Sequence, residues 1–191
     1  MITQNKIISL DHMTHIDNVD TIFKYGLYSH HNPYKKIDIS NMYVNARRNK
    51  RENIYGKKIH DYVPFYFNPR NAMMYRNKDK NIIILAFNST LLKEQKMLFT
   101  NKNASTDSVH FYNNIKKLDD VRWNDVKSKS WYNKSEEVKQ IMMAEVLIPN
   151  NVDIKHMVNI YCKNFQQKKY LMNQYNLSES KIIINSNLFF K

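Results

Sequence analysis

The stretch MMAEVLIP, residues 142–149, holds one residue that could do chemistry within an otherwise apolar run. Glu145 lies among methionine, alanine, valine, leucine and isoleucine side chains, which favour burial. A carboxylate that loses its water is costly unless a partner or a reaction uses its charge. Two interpretations follow. Glu145 either forms an ion pair with one of the 30 Lys and Arg residues, or it serves a reaction in a dry cleft.

Two other clusters carry polar groups of chemical interest. HMTH, residues 12–15, begins an ordered element with two imidazoles and a hydroxyl. His12 and His15 could bind a metal if both lay on one helical turn, whereas His12 could equally be a hydrogen-bonded core histidine. The Arg47–Arg48 pair either lies on a solvated helix face or has a functional role.

Several kinds of site are excluded by the motifs that the chain lacks. HExxH, CxxC and GxSxG do not occur, and the seven histidines lack helical metal-ligand spacing, so no metal site is predicted. The lone Cys162 excludes an intrachain disulfide and a cysteine metal cluster. Gly26 and Gly56 are too few glycines for a Rossmann turn or a Walker loop. A nucleotide, if bound, therefore needs another architecture.

Short strands outnumber helices along the chain, and their order does not repeat as βαβ, which favours an α+β domain. Residues 61–70 alternate, with Val63, Phe65 and Phe67 facing one way and Tyr62, Tyr66 and Asn68 the other. The other predicted elements are a strand or turn at 11–16, a helix capped by Asp17 or Asn18 that ends at Gly26, a short helix within 40–51, a buried strand at 81–88, a helical patch around Trp123 and Trp131, a helix passing into a strand that Pro149 stops at 135–149, and one or two strands at 181–190.

The charge of the chain indicates a polyanionic partner. The formal net charge is +13 and the pI is about 9.6, with eight basic against two acidic residues in 35–58. Codon bias is the alternative explanation, since Asn, Lys, Ile and Tyr are abundant. The N-terminal MITQNKIISL lacks an apolar core for a signal peptide, and no run approaches the roughly 20 apolar residues of a membrane span. We expect a cytoplasmic protein that does not enter a membrane.

Four blocks, HMTHIDNVDTIFKYGL, ARRNKR, DYVPFYFNPRNAMMY and MMAEVLIP, together resemble the DarT family of DNA ADP-ribosyltransferase toxins. Their order and spacing agree over nearly the whole chain. The resemblance implies an α+β fold of the ADP-ribosyltransferase (PARP-like) type, a split mixed β-sheet with surrounding helices, as a single domain over 1–191. It further implies transfer of ADP-ribose from NAD, without a Rossmann motif, onto a base in single-stranded DNA. A macrodomain antitoxin of the DarG type, a monomeric state and a bacterial or phage origin are implied as well.

The same resemblance assigns roles to individual residues. Arg48 and Glu145 would be catalytic, with the carboxylate stabilising positive charge on the ribose as nicotinamide leaves. Arg48 would orient the attacking base and favour its deprotonated form, because arginine is a poor general base. Residues 33–51 would form the NAD-binding element and 98–145 the substrate-recognition loop. The implied NAD contacts are His12, Met13, Thr14, Thr21, Ser29 and Arg48, and the candidate DNA contacts are His110, Phe111 and Tyr112.

Two departures from the sequence motifs typical of the family bear on which base is modified. VNARR stands where thymidine-modifying members tend to have Ile-Gln before the arginines, and NPRNAMMY replaces their PRSPM. Thymidine is favoured, with guanosine as the alternative acceptor. Two rival functions stay open from the sequence. One is a non-catalytic module that binds single-stranded nucleic acid, and the other is an ADP-ribosyltransferase acting on protein or RNA, or an NAD glycohydrolase.

Overall fold

The computed structural model describes residues 7–175 and 177–190, which form ten strands and six α-helices joined by short 3-10 turns. The strands are β1 Leu10–His15, β2 Leu27–Tyr28, β3 Tyr62–Tyr66, β4 Ile82–Phe87, β5 Leu98–Thr100, β6 Phe111–Tyr112, β7 Glu145–Pro149, β8 Asn151–Val152, β9 Met157–Cys162 and β10 Ile182–Ile184. The helices are α1 Val19–Tyr25, α2 Met42–Arg48, α3 Ala72–Arg76, α4 Trp123–Val126, α5 Glu136–Ile141 and α6 Phe165–Tyr175.

Eight strands form one mixed sheet in the order β10-β9-β4-β1-β3-β7-β5-β6. Only β9 and β10 run parallel within the described sheet, joined by α6, and β2 pairs with β8 separately. β1 pairs with β4 over six residues, but its register with β3 consists of Asp11 opposite Tyr66. The sheet is therefore split between β1 and β3, as expected from the predicted fold class.

The strands follow from their apolar patterns. All six side chains of β4 are buried, as the continuous run at 81–88 predicted. In β3 the two faces enter different apolar clusters, with Val63 and Phe65 in the largest one and Tyr66 in another. Phe67 lies just beyond the end of this strand. The alternation therefore predicted the two faces of β3 correctly but extended the strand too far.

Helix positions agree in part with the predictions. α1 ends at Gly26, whose φ of 92° is a backbone conformation that glycine adopts at little cost. α2 is shorter than 40–51 and is capped by Asn41, whose side chain accepts from two backbone amides. The helical patch occurs at α4, but its extension to Trp131 was wrong. Trp131 instead stacks on Phe190, with the ring centroids 5.3 Å apart.

Within the described ranges, none of the helices is both long enough and apolar enough to cross a membrane.

Candidate active site

A cavity of about 350 Å³ lies along the split between β1 and β3. β1 contributes His12, Met13 and Thr14, while the segment after β2 contributes Ser29 and α2 contributes Arg48. Five of the six predicted NAD contacts thus line one cavity. The sixth, Thr21, lies outside it on α1, where its hydroxyl donates to the Asn18 carbonyl at 3.0 Å.

Glu145 begins β7 next to this cavity and is 1% exposed. Arg48 Nη1 donates to both carboxylate oxygens, at 2.9 and 3.1 Å. The backbone amide of Ala104 donates to Oε1 at 2.9 Å, and the Glu145 amide itself donates to Thr100 Oγ1 at 3.1 Å. The apolar neighbours of Glu145 are therefore buried with it, while an arginine 97 positions away compensates its charge.

The pair keeps Arg48 positively charged. Burial opposes the guanidinium charge, but the adjacent Glu145 carboxylate raises the pKa of Arg48 above its ordinary value. Tyr66, opposite Glu145 on β3, has its pKa raised by burial and by the Glu145 charge. Its hydroxyl donates to Met73 Sδ at 3.3 Å. Neither Arg48 nor Tyr66 can therefore change protonation state near neutral pH.

His12 presents a neutral imidazole to the cavity. Its Nδ1 lies 2.8 Å from the Pro64 carbonyl oxygen, so Nδ1 carries the proton and Nε2 has a free lone pair. Burial lowers the pKa of His12 to about 4, and the bond to Pro64 opposes this only partly. His15 lies three residues on in the same strand, hence on the other face, and cannot join His12 on one metal.

Asn18 is a site-building residue whose role the sequence did not predict. It was expected as a helix cap, but its side chain makes no capping bond to α1. Instead its Nδ2 donates to Thr14 Oγ1 at 3.1 Å and to the Ile37 carbonyl at 2.8 Å, and its Oδ1 accepts from the Lys36 and Ile37 amides. Asn18 therefore fastens the start of the predicted NAD-binding element to β1.

A second unpredicted feature is a histidine group at the cavity wall. His30 and His60 both line the cavity and stack with ring centroids 4.1 Å apart. His60 is 8% exposed, and burial followed by the nearby charges of His30 and Arg48 lowers its pKa to about 4. These residues are 30 positions apart, and sequence patterns carry no signal for their contact.

The predicted recognition loop, 98–145, contains β5, β6, α4 and α5 and meets the cavity near both of its ends. Asn103, Gln140 and Met143 line the cavity. Lys50, just after α2, donates to the Thr106 carbonyl at 2.6 Å and so joins the two predicted elements. Of the candidate DNA contacts, Phe111 and Tyr112 are half-buried in β6, with Tyr112 stacked on Phe99, whereas His110 is exposed.

Comparison with known proteins identifies the family. The family model described as "ssDNA thymidine ADP-ribosyltransferase, DarT" matches residues 12–190. The chain belongs to the DarT family. It is 28% identical, over 95% of its length, to a "DNA ADP-ribosyl transferase-DNA ADP-ribosyl glycohydrolase fusion protein" of Thermosipho africanus, and it spans 49% of that relative. It is 27% identical to a "DNA ADP-ribosyl transferase" of Thermus sp., with 72% of both chains covered.

Solved DarT structures have the same fold. The chain superposes on Thermus sp. 2.9 DarT in complex with ADP-ribosylated ssDNA with a TM-score of 0.86, at 21% identity over 97% of both chains. The complex of that protein with NAD+ gives 0.82. Thermosipho africanus DarTG in complex with ADP-ribose gives 0.82 at 27% identity, over 96% of this chain and 51% of that one. The ADP-ribosyltransferase fold and the family resemblance are thereby confirmed.

Proposed function

We propose that this protein is an NAD-dependent enzyme that transfers ADP-ribose onto a base in single-stranded DNA and releases nicotinamide. The observation that carries the proposal is the buried Glu145 carboxylate, held by Arg48 and the Ala104 amide beside the cavity that β1 lines. A carboxylate fixed in a dry site can stabilise positive charge without reorganising solvent around it. Membership of the DarT family supports the same reaction.

The hydrogen-bond donors and acceptors of the cavity fit NAD. Neutral His12 offers an acceptor for a ribose hydroxyl, the Met13 backbone lies beside it, and Thr14 adds a hydroxyl. Buried Arg48 Nη2 has no hydrogen-bond partner within the described part of the chain, so a donor stands ready for an incoming oxygen. Ser29 is a further contact. Thr21 contributes indirectly, through the bond that holds Asn18.

Glu145 and Arg48 are the catalytic residues of this proposal. A carboxylate that is 1% exposed cannot meet a ribose hydroxyl while Arg48 occupies both of its oxygens. Substrate binding therefore replaces at least one of these bonds. The freed guanidinium then orients the acceptor base, while Glu145 stabilises the charge that develops on the ribose as nicotinamide leaves.

The acceptor and the partners are part of the same proposal. Thymidine is the favoured base because the matching family is described by it, and guanosine is the alternative. A net charge of +13 supports binding to a phosphate backbone, and an unpaired strand spares the cost of extruding a base. The fusion of a glycohydrolase to the Thermosipho relative supports a DarG-type antitoxin. The protein acts as a cytoplasmic monomer.

The test uses purified protein, labelled NAD and two single-stranded oligonucleotide pools, one lacking thymine and one lacking guanine. Glu145→Ala is the blank. Label in only one pool establishes the reaction and names the base together. Label in neither pool, from folded protein, contradicts the DNA acceptor, and parallel incubations with RNA, with protein and with NAD alone then separate the rival functions.

A further inference from the structure

The proposed transfer needs a proton acceptor that the two catalytic residues do not supply. A ring nitrogen such as N3 of thymine carries a hydrogen, which must leave as the nitrogen bonds to the ribose carbon. The acceptor must lie at the cavity, must be unprotonated near neutral pH and must have a free lone pair. The argument that follows rests on the proposed function.

Most polar groups at the cavity fail one of these conditions. Arg48 is a cation whose pKa is raised by Glu145. Glu145 stabilises the ribose charge in the proposed reaction and must stay ionised to do so, so it does not take the proton. The Tyr66 hydroxyl is protonated and donates to Met73. The buried Oε1 of Gln140 has no partner among the described residues, but an amide oxygen is too weakly basic to take a proton.

His12 also has a free lone pair, but the proposed function assigns it to a ribose hydroxyl of NAD. His60 meets all three conditions and has no such role. It lines the cavity, and its Nε2 is buried without a hydrogen-bond partner in the described ranges. With the ring proton on Nδ1, Nε2 carries a lone pair that no described protein group satisfies. An unsatisfied buried polar atom costs stability and calls for a functional explanation. Arg48, the residue proposed to orient the attacking base, lines the same cavity as His60.

We propose that His60 is the general base of the transfer, and that its Nε2 accepts the proton of the attacking ring nitrogen. The bond between that nitrogen and the ribose carbon forms, and the bond from this carbon to the nicotinamide nitrogen breaks. The electron pair of the broken bond leaves with nicotinamide, which becomes neutral. The proton from the base passes to His60, so the positive charge of the dinucleotide ends on the imidazolium and then leaves with the proton.

The groups around His60 suit a residue that accepts the proton and soon releases it. His30 is stacked on it, His31 lies nearby with its Nε2 3.5 Å from an Asp61 carboxylate oxygen, and Arg48 adds a fixed positive charge. Burial first, and then these charges, lower the pKa of His60 to about 4 and keep it unprotonated before the reaction. A weak base suffices, because the ring nitrogen becomes strongly acidic as its new bond forms. The same charges then favour release of the proton.

The test compares His60→Ala and His60→Gln with His156→Ala, a partly exposed imidazole that does not line the cavity. Single-turnover transfer from labelled NAD to a thymine-containing oligonucleotide is measured, with NAD affinity determined by calorimetry. We expect both His60 variants to lose transfer by about 10²- to 10⁴-fold while they bind NAD normally. His156→Ala should match wild type. Glutamine keeps an acceptor but cannot take the proton, so it should not rescue the rate.

The pH profile separates a base from a structural residue. Wild-type transfer should be flat from about pH 6 to 8, because His60 is already neutral there with a pKa of about 4. In His60→Ala the deprotonated nucleobase becomes the reactive species, so the rate should rise about tenfold per pH unit towards the pKa of that base. Added imidazole should restore part of the rate in the alanine variant only.

The outcomes are distinguishable. Active wild type with unaffected His60 variants, or with variants whose profile stays flat, overturns His60 as the general base and leaves the proposed function standing. Equal loss of NAD affinity and transfer would also overturn it, since His60 would then serve substrate binding. Absence of transfer by wild type overturns the proposed function, and this inference with it.

Discussion

β1 and α2 bring side chains to the same cavity by different means. β1 lies inside the sheet, is paired with β4 over six residues, and has His12 fixed to Pro64 across the split. α2 is seven residues long, and its Met42 and Tyr43 are each 74% exposed, whereas Arg48 is buried. A backbone ladder thus holds one wall of the cavity, and side-chain bonds, chiefly to Glu145, hold the other.

This difference teaches which parts of the site depend on each other. The β1 wall needs neither Arg48 nor Glu145 to keep its shape, because sheet pairing positions it. The α2 wall depends on a carboxylate 97 positions away and on the contact of Lys50 with the recognition loop. Substitutions at the two walls should therefore have separable effects on NAD binding and on transfer.

The largest effect is expected for Glu145→Ala. Transfer should fall about 10²- to 10³-fold or more, because a preorganised charge at the reaction centre is lost. NAD affinity should fall much less, because the β1 wall is intact. Single-turnover transfer and calorimetric NAD binding on the same preparation measure the two. Equal losses in both would show that the walls are not independent.

Arg48→Met should lower stability as well as transfer. Removing the arginine leaves Glu145 buried and uncompensated, which costs about 3–5 kcal/mol. Protonation relieves an unpaired buried carboxylate, so the loss of stability relative to wild type should be smallest at low pH and should grow as pH rises. Urea unfolding at pH 5 and pH 8 measures it. The double variant Glu145→Gln/Arg48→Met is the control and should remove the pH difference.

Acid should destabilise the protein through its two buried histidines. His12 and His60 have folded pKa values of about 4 against 6.5 in the unfolded chain, so the unfolded state binds more protons between these values. The contribution of these two histidines to the free energy of unfolding should be fully present above about pH 6.5 and should fall as pH drops towards 4. Burial raises the pKa of Asp11 to about 6, and this group acts in the opposite sense.

Single substitutions separate these contributions. Asp11→Asn should therefore steepen the acid loss, and His12→Gln or His60→Gln should flatten it. Exposed His110→Gln is the matched control, and thermal unfolding between pH 4 and 7 in steps is the measurement. An unchanged slope in both histidine variants would contradict the neutral state assigned to these rings.

The smallest effects are expected for residues that lie at the edge of the cavity or outside it. Ser29→Ala removes one hydroxyl from the cavity wall and should weaken NAD binding by about 0.5–1.5 kcal/mol. Thr21→Val should have a smaller effect on NAD affinity, because its hydroxyl serves Asn18 outside the cavity. Calorimetric titration of both variants decides the order. A larger loss for Thr21→Val would return Thr21 to the direct NAD contacts.

Local sequence patterns predicted the strands that are buried on one face or on both faces. The apolar run of β4, the alternation in β3, and the strand that begins at Glu145 are all present. α6 received no prediction, because its buried side chains are only Gln167 and Leu171 and its apolar stripe is accordingly narrow. Trp131 was misplaced because its ring contacts come from residues far away in the chain, Tyr75 and Phe190.

The same division holds for the site residues: those that are adjacent in the chain were predicted, and contacts between distant segments were not. His12, Met13 and Thr14 follow one another in the chain, so a resemblance carried on one block was enough to nominate them. The contact of Arg48 with Glu145 and the stacking of His60 on His30 join distant segments. Asn18 was assigned to a cap because its residue type suits one, while the fold uses its amide for Thr14 and Ile37. Residue type therefore predicted polarity at these positions, but not the partner.

The seam between β1 and β3 makes the sheet two half-sheets that share one pair of facing residues and the bond from His12 to Pro64. Spreading these halves breaks few backbone hydrogen bonds, whereas parting β1 from β4 would break a whole ladder. The two half-sheets nevertheless share one apolar core, because Val63 and Phe65 of β3 belong to the same cluster as Leu85 of β4. The cavity therefore lies along a seam that backbone pairing does not close, while both half-sheets remain in one apolar core.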